Sequence, residues 1–479
     1  MSQTKLNRRD FLRLGMAAAG AATLGACATA APPGAQAPPT AAPAEAPTAA
    51  AAAPAAAAPT TAAPPQTEAG TISYWAFWTQ YADAVKVFKP MLEEKVKPHA
   101  IDIKTGVDAA QVFLTAVAAG TPPDIGTGHH YIDYMSKGQA IDVSSYVATS
   151  SILKKENFSE AAWNGQFYHG TQYGVSGIEA FVRRGLNYNT RLVQEAGLDP
   201  DKPPVTWTDM LAWHKQLTKF DSAGNLKQIG YDPTDAEGGL FATSDGTFLS
   251  DSWGFEWFDP KSKSFNIDNP LMVEGLETLA EFVKIIGPDN LAGMRSVEGQ
   301  GQWGGSYNTQ IQAMILEGYW HPGETFHDKP EVSKLNRATW MPVSESRKGK
   351  KVQQGGGHMV FLYKGAKNPP EWAWPVAEFL NTKEHCDPVF KSVGWLPDFK
   401  PYVESVDASP YPGLDFYIKS VKEANEWHFP LWCEIETFVN TKYNEYFEKV
   451  YRGQMTAKDA ATGLQKDAEK EWKEAGYAS

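Results

Sequence analysis

Gly185-Leu186-Asn187-Tyr188-Asn189-Thr190-Arg191-Leu192-Val193-Gln194-Glu195-Ala196-Gly197 is the stretch from which the fold is read. A short run ending in Asn189 gives way to a helix over about Thr190 to Ala196, and Gly197 closes it at the usual C-terminal position. Asp199 to Pro204 is then a proline-rich loop, and Thr206-Trp207-Thr208-Asp209 opens the next helix as a capping box. Met210, Trp213 and Leu217 fall on one face of that helix. Asp221-Ser222-Ala223-Gly224-Asn225 reads as a turn, because a calcium loop needs alternating ligands and a distant glutamate that are absent here.

Working back from this stretch, Thr71-Ile72-Ser73-Tyr74-Trp75-Ala76-Phe77 is β-branched and aromatic, so it reads as a buried strand. A helix is expected over about Tyr81 to Lys95, stopping near Pro98, followed by a strand at Ile101 to Thr105 and a helix at Ala109 to Ala119. Pro122-Pro123-Asp124-Ile125-Gly126 adds a short strand after a sharp turn. Strands alternating with helices point to parallel βαβ units and an α/β architecture. At the other end, Thr456-Ala457-Lys458-Asp459 caps a helix whose Ala460, Leu464, Ala468 and Trp472 share a face and should dock on the body of the protein.

The first seventy residues are of another kind. Asn7-Arg8-Arg9-Asp10-Phe11-Leu12 resembles a twin-arginine export signal, and Leu14 to Ala26 is an apolar stretch too short to cross a bilayer. Leu24-Gly25-Ala26-Cys27 looks like a lipobox, which implies cleavage after residue 26 and acyl chains on Cys27; two or more such chains anchor stably. Residues 27 to 69 are almost entirely Ala, Pro and Thr. They cannot bury enough surface to offset ordering, and proline keeps them extended, so they read as a disordered, semi-rigid tether.

Charge narrows the partners. The chain carries −12, and loss of residues 1–26 removes Lys5, Arg8, Arg9 and Arg13 against one acid, Asp10, leaving it more negative still. An acidic globule is poorly suited to nucleic acid or anionic headgroups. The roughly 410 residues beyond the tether exceed one core, so two lobes are expected. Cys386 and Cys433 fit either a disulfide or two buried free thiols.

A set of short segments, in one order along nearly the whole domain, resembles the family 1 extracellular solute-binding proteins, the receptors of ABC importers that mostly carry sugars and oligosaccharides. They are Ala118-Ala119-Gly120-Thr121-Pro122-Pro123-Asp124, Leu186-Asn187-Tyr188-Asn189 with Glu195-Ala196-Gly197-Leu198-Asp199-Pro200, and Pro204-Val205-Thr206-Trp207. Ala313-Met314 with Gly318-Tyr319-Trp320, Gly355-Gly356-Gly357, Ala377-Glu378-Phe379-Leu380 and Gly394-Trp395-Leu396-Pro397 complete the set. The resemblance implies a two-lobed periplasmic-binding-protein fold of α/β class: lobe 1 at 70–184 plus 350–395, lobe 2 at 188–346 plus 400–475, joined by three hinge crossings. It further implies a monomeric, lipid-anchored extracytoplasmic receptor without cofactor or metal, its partners a small carbohydrate and the importer's permease subunits. An insert at Gly238 to Asp259 and the unusual His129-His130-Tyr131 depart from the pattern and bear on the ligand rather than the fold.

Aromatic residues make up 12% of the chain, with 16 tryptophans, and flat indoles suit the C–H faces of sugar rings while polar neighbours take hydroxyls. Trp320 matches the family position whose tryptophan commonly stacks on a sugar. Trp75 and Trp78 end or follow the first strand, where open α/β sheets bind ligands, although alternation sends one of them to the core. His130 and Tyr131 follow another strand end; two adjacent histidines without a third ligand suit hydroxyl contacts or a plain loop better than a metal. Asp124 reads as a turn residue. Glu179 before the first crossing, Trp253 in the insert, Trp303 between glycines, Gly356 at the second crossing, and Trp395 and Asp398 beside the third complete the candidate ligand contacts. Each has a structural alternative as core, cap or solvated charge.

Enzymatic readings find less support. A tethered glycosidase needs two carboxylates about 5 to 10 Å apart, and among Asp251, Glu256, Glu434 and Glu436 no local signature selects a pair. Gly174-Val175-Ser176-Gly177-Ile178 misses the nucleophile elbow at its last position, and Gly299-x-Gly301-x-x-Gly304 has no strand before it. No catalytic residue is therefore assigned. A receptor for a peptide, polyamine or metal complex is the nearest alternative to a sugar receptor.

Overall fold

A computed structural model describes residues 69–107, 112–128, 131–178, 180–234, 247–297, 304–356, 358–428 and 433–477. Cys27 with its export signal and tether, His130, Glu179 and Trp303 lie outside the described residues, as does the side chain of Tyr131.

In chain order the first strands are β1 (Thr71–Ala76), β2 (Ala100–Lys104), β3 (Ile125–Gly128) and β4 (Gly174–Ser176), with helix α1 (Ala82–Lys95) between β1 and β2. Next come β5 (Leu186–Asn189), α2 (Thr190–Glu195), α3 (Trp207–Leu217), β6 (Lys219–Phe220), β7 (Leu226–Tyr231), α4 (Thr247–Trp253) and α5 (Pro270–Ile286). Further along lie, among other elements, β8 (Gln312–Leu316), α6 (Trp320–Asp328), β9 (Asn336–Thr339), β10 (Val352–Gln354), β11 (Met359–Leu362), α7 (Lys383–Val393), β12 (Glu426–His428), α8 (Glu436–Tyr451) and α9 (Ala457–Glu474).

Two five-stranded sheets result, one in the order β2-β1-β3-β11-β4 and the other β9-β5-β8-β7-β6. In the first, β1 runs parallel to β2 and β3, as the βαβ reading requires, and β11 returns antiparallel between β3 and β4. In the second, β8 is parallel to β7 and antiparallel to β5. Strand β1 alternates in burial, with Ile72, Tyr74 and Ala76 inward, whereas the central β8 is buried throughout because both faces are covered.

The capping chemistry explains where helices start. Asn189 accepts from the N–H groups of Arg191 and Leu192, and the Thr206–Asp209 box closes on itself in both directions. Met210, Trp213 and Leu217 are buried in one core with Leu186, Tyr188 and the α5 residues Leu276, Leu279 and Phe282. Helix α9 adds Ala460, Leu464, Ala468 and Trp472 to that same core, so it docks on the second sheet's lobe. A second core gathers Ile72, Tyr74, Phe88, Val360 and Phe379, and takes in Tyr402, Tyr411 and Tyr417 from the stretch after Asp398. Cys386 and Cys433 are both buried and free.

Two stretches carry the chain between the sheets, at 177–185 and 340–358, and they are bonded to each other and to segments that follow β11. Arg183 N donates to Gln354 O at 3.1 Å, and Gln353 exchanges two bonds with the backbone of Arg184, at 2.8 and 3.0 Å. Strand β10 pairs with β12, while Ala180 N donates to Leu396 O at 3.1 Å. Around them lies a buried charge cluster. Arg184 bonds Asp251 at 2.6 Å, His428 lies 3.5 Å from Asp251 and 2.7 Å from Glu426, and Glu426 also pairs with Arg347.

Candidate functional site

The register fixes where side chains can meet. The ends of β1, β3 and β4 and the start of β11 lie at one edge of the first sheet, since Ala76 pairs with Thr127 and Met359 sits opposite both Gly128 and Ser176. In the second sheet the end of β8 and the start of β5 share an edge, with Leu316 opposite Leu186. The short connection from Gly177 to Gly185 joins these two edges, so residues just beyond them meet.

Four rings and one guanidinium gather there. Trp78, two residues past β1, stands edge-on to His358 at 4.6 Å and to Trp395 at 5.4 Å between centroids. His358 immediately precedes β11 and also faces Arg183. The Arg183 guanidinium lies over the Trp320 ring, 4.8 Å from its centroid. Trp320 opens α6, and Glu324 of the same helix accepts the Trp395 indole N–H at 2.8 Å, closing the circuit. Trp78 is 9% exposed and the other three rings less, so the cluster is nearly sealed from water.

Two glycines permit this arrangement. A Cβ at Gly318 would stand 2.1 Å from Trp320 Cζ3, so the indole folds back over bare backbone. Gly356 turns the chain from β10 toward β11 at φ +102°, a conformation that side chains disfavour. Burial, together with the neighbouring Arg183 charge, holds the His358 pKa well below its ordinary value, which leaves a neutral imidazole able to donate and to accept.

Other candidates are placed differently. Trp75 packs edge-on against Phe113 at 5.5 Å beneath the Lys104 ammonium, and its ring N–H is buried without a partner among the described residues. Trp253 stacks on Trp207 at 5.5 Å inside the core that holds Leu186 and Met210, apart from the ring circuit. Asp398 accepts from Ser159 N and Oγ at 2.9 and 2.6 Å; burial pushes its pKa up to about 7. Asp124 is likewise structural, binding Ser73 and Asn368. Tyr131 opens a six-residue helix at the same edge as Trp78. A surface cavity of about 630 Å³ between α3, α5 and α8 shares no residue with the circuit.

Sequence reasoning did not name Arg183, His358 or Glu324. The available signal for the first was a basic pair directly after the apolar run Ala180 to Val182; for the second, it was a histidine directly after three glycines. Among the described residues no group of three or more His, Cys, Asp or Glu side chains is placed to hold a metal, and no helix is long and apolar enough to cross a membrane.

Known structures share this architecture. The mannobiose-bound protein CpMnBP1 superposes with a TM-score of 0.72 at 19% identity, over 84% of this chain and 100% of its own. A substrate-binding protein of Listeria monocytogenes in complex with cycloalternan gives 0.68 at 20%, over 84% and 99%. A solute-binding protein of Thermotoga lettingae TMO bound to α-D-tagatose gives 0.70 at 17%, over 84% and 99%. No curated protein sequence matches the chain. The sequence profile described as bacterial extracellular solute-binding protein matches residues 76–385, and with the two-sheet architecture this makes the chain a member of that family.

Proposed function

We propose that this chain captures a sugar or oligosaccharide between its two lobes and hands it unchanged to the permease of an ABC importer. One observation carries the reading: Trp78, Trp395 and Trp320 converge with Arg183 and His358 where the edges of the two sheets meet. Indole faces match the C–H patches of sugar rings, and the guanidinium, the imidazole and Glu324 offer partners to hydroxyls. The saccharide ligands named for the structural relatives support the same class. Because the rings are nearly sealed, entry requires the lobes to part, and the three bonded connections at 177–185, 340–358 and 394–435 are the hinge. The ligand's greater affinity for the closed form then drives closure.

In the same reading the chain is exported by the twin-arginine route, acylated at Cys27 and held by its tether as a monomer outside the cytoplasmic membrane. Titration of the purified chain with neutral di- and trisaccharides, followed by tryptophan emission and product analysis, is the test. Saturable binding without turnover supports the reading. Binding only of peptides, polyamines or metal complexes, or release of hydrolysis products, overturns it.

A further inference from the structure

The turn that presents Trp320 is bracketed by a buried acid and a buried histidine. Glu317, 1% exposed, follows β8, and His321, 2% exposed, is the second residue of α6; Glu317 Oε2 and His321 Nδ1 share a hydrogen bond across the turn. From His321 the contacts continue to Thr325 at 3.4 Å, then from Thr325 to Asn308 at 3.1 Å and from Asn308 to Asp328 at 2.7 Å. The backbone of the turn is also tied to the first connection, through Glu317 N to Gly185 O at 3.0 Å and Tyr319 N to Val182 O at 3.2 Å. The other carboxylate oxygen, Glu317 Oε1, is buried with no hydrogen-bond partner among the described residues.

A buried, half-satisfied carboxylate costs stability, and well-packed apolar groups in its place are often neutral or better. Stability is therefore a poor reason for this pair. Its geometry offers a better one: the bond spans residues 317 and 321, and the three residues between them include Gly318, over which the indole folds, and Trp320 itself.

We propose that Glu317 and His321 are positioning residues that fix the Trp320 ring for stacking on the ligand. The inference rests on the reading of Trp320 as a ligand surface, and the test separates the two. Using the full chain, affinity for mannobiose, mannotriose and maltotriose is measured for wild type, W320A, E317M/H321L, E317Q and the combination of W320A with E317M/H321L. The expected result is that E317M/H321L keeps or gains thermal stability yet binds about 10-fold or more weakly, that E317Q retains most affinity because its carbonyl still accepts from His321, and that E317M/H321L adds nothing once W320A is present. Wild-type affinity in E317M/H321L, or an equal loss with and without Trp320, overturns the positioning role while W320A alone still weakens binding. If W320A leaves affinity unchanged, or no saccharide binds wild type, the reading of Trp320 itself fails and the inference with it. Should E317M/H321L not fold, H321Q carries the same comparison with W320A.

Discussion

Trp320 shows what a single residue contributes here and what its neighbours must supply. Its six-membered ring packs close to the Gly318 backbone, and the Arg183 guanidinium lies over the ring. W320A is expected to weaken saccharide binding by about 30-fold or more, the scale of a buried aromatic anchor, measured by calorimetry. G318A is expected to push the indole off its seat and lower affinity with it, while a distant substitution such as A223S leaves binding unchanged. Asp398 makes a different prediction. Burial raises its pKa from 3.8 to about 7, so the folded state binds a proton that the unfolded state has released over that interval. Wild type should therefore lose stability as pH rises from about 4 to 7, by on the order of 4 kcal/mol, whereas D398N, which can still accept from Ser159, should show a flatter profile. Equal slopes in denaturant melts across that range would exclude this role for the carboxyl.

Among the elements, those that were legible from sequence are the ones governed by local chemistry. Strand β1, helix α1, the Thr206–Asp209 box and the face of α9 follow from alternation, proline, capping side chains and 3.6-residue periodicity, and each forms as those rules require. T206A is expected to cost about 1 kcal/mol in urea unfolding through the lost cap. What was not legible depends on register and tertiary packing. Trp253 and Trp395 look alike as letters near a glycine, yet one stacks on Trp207 in a core and the other reaches Glu324 across the sheet edges. Arg183 and His358 carried no local motif, because their roles arise only when the connections at 177–185 and 340–358 are brought together. The β10–β12 pair is such a feature too, and it holds His428 among carboxylates. Burial alone would lower that imidazole's pKa, but Glu256, Asp251 and Glu426 outweigh it and raise it to about 9. The stabilisation is therefore full below pH 6.5 and lost as pH climbs through about 9; thermal melts should fall over that window in wild type and fall less in H428Q.

For the whole molecule, the proposed receptor works by moving one lobe on the other around a ligand. Closure around a saccharide should reduce the radius of gyration in solution scattering, and E426A, which releases Arg347 and His428 together, should alter the unliganded value more than the liganded one. The central claim is that a sugar binds among Trp78, Trp395 and Trp320 and leaves chemically unaltered. Isothermal titration of the purified chain with neutral oligosaccharides, with the recovered ligand analysed by mass, tests it most directly. One-to-one saturable binding that W320A weakens by about 30-fold or more, with intact ligand recovered, is the predicted result; cleaved sugar, or binding that W320A, W78A and W395A all leave untouched, would contradict it.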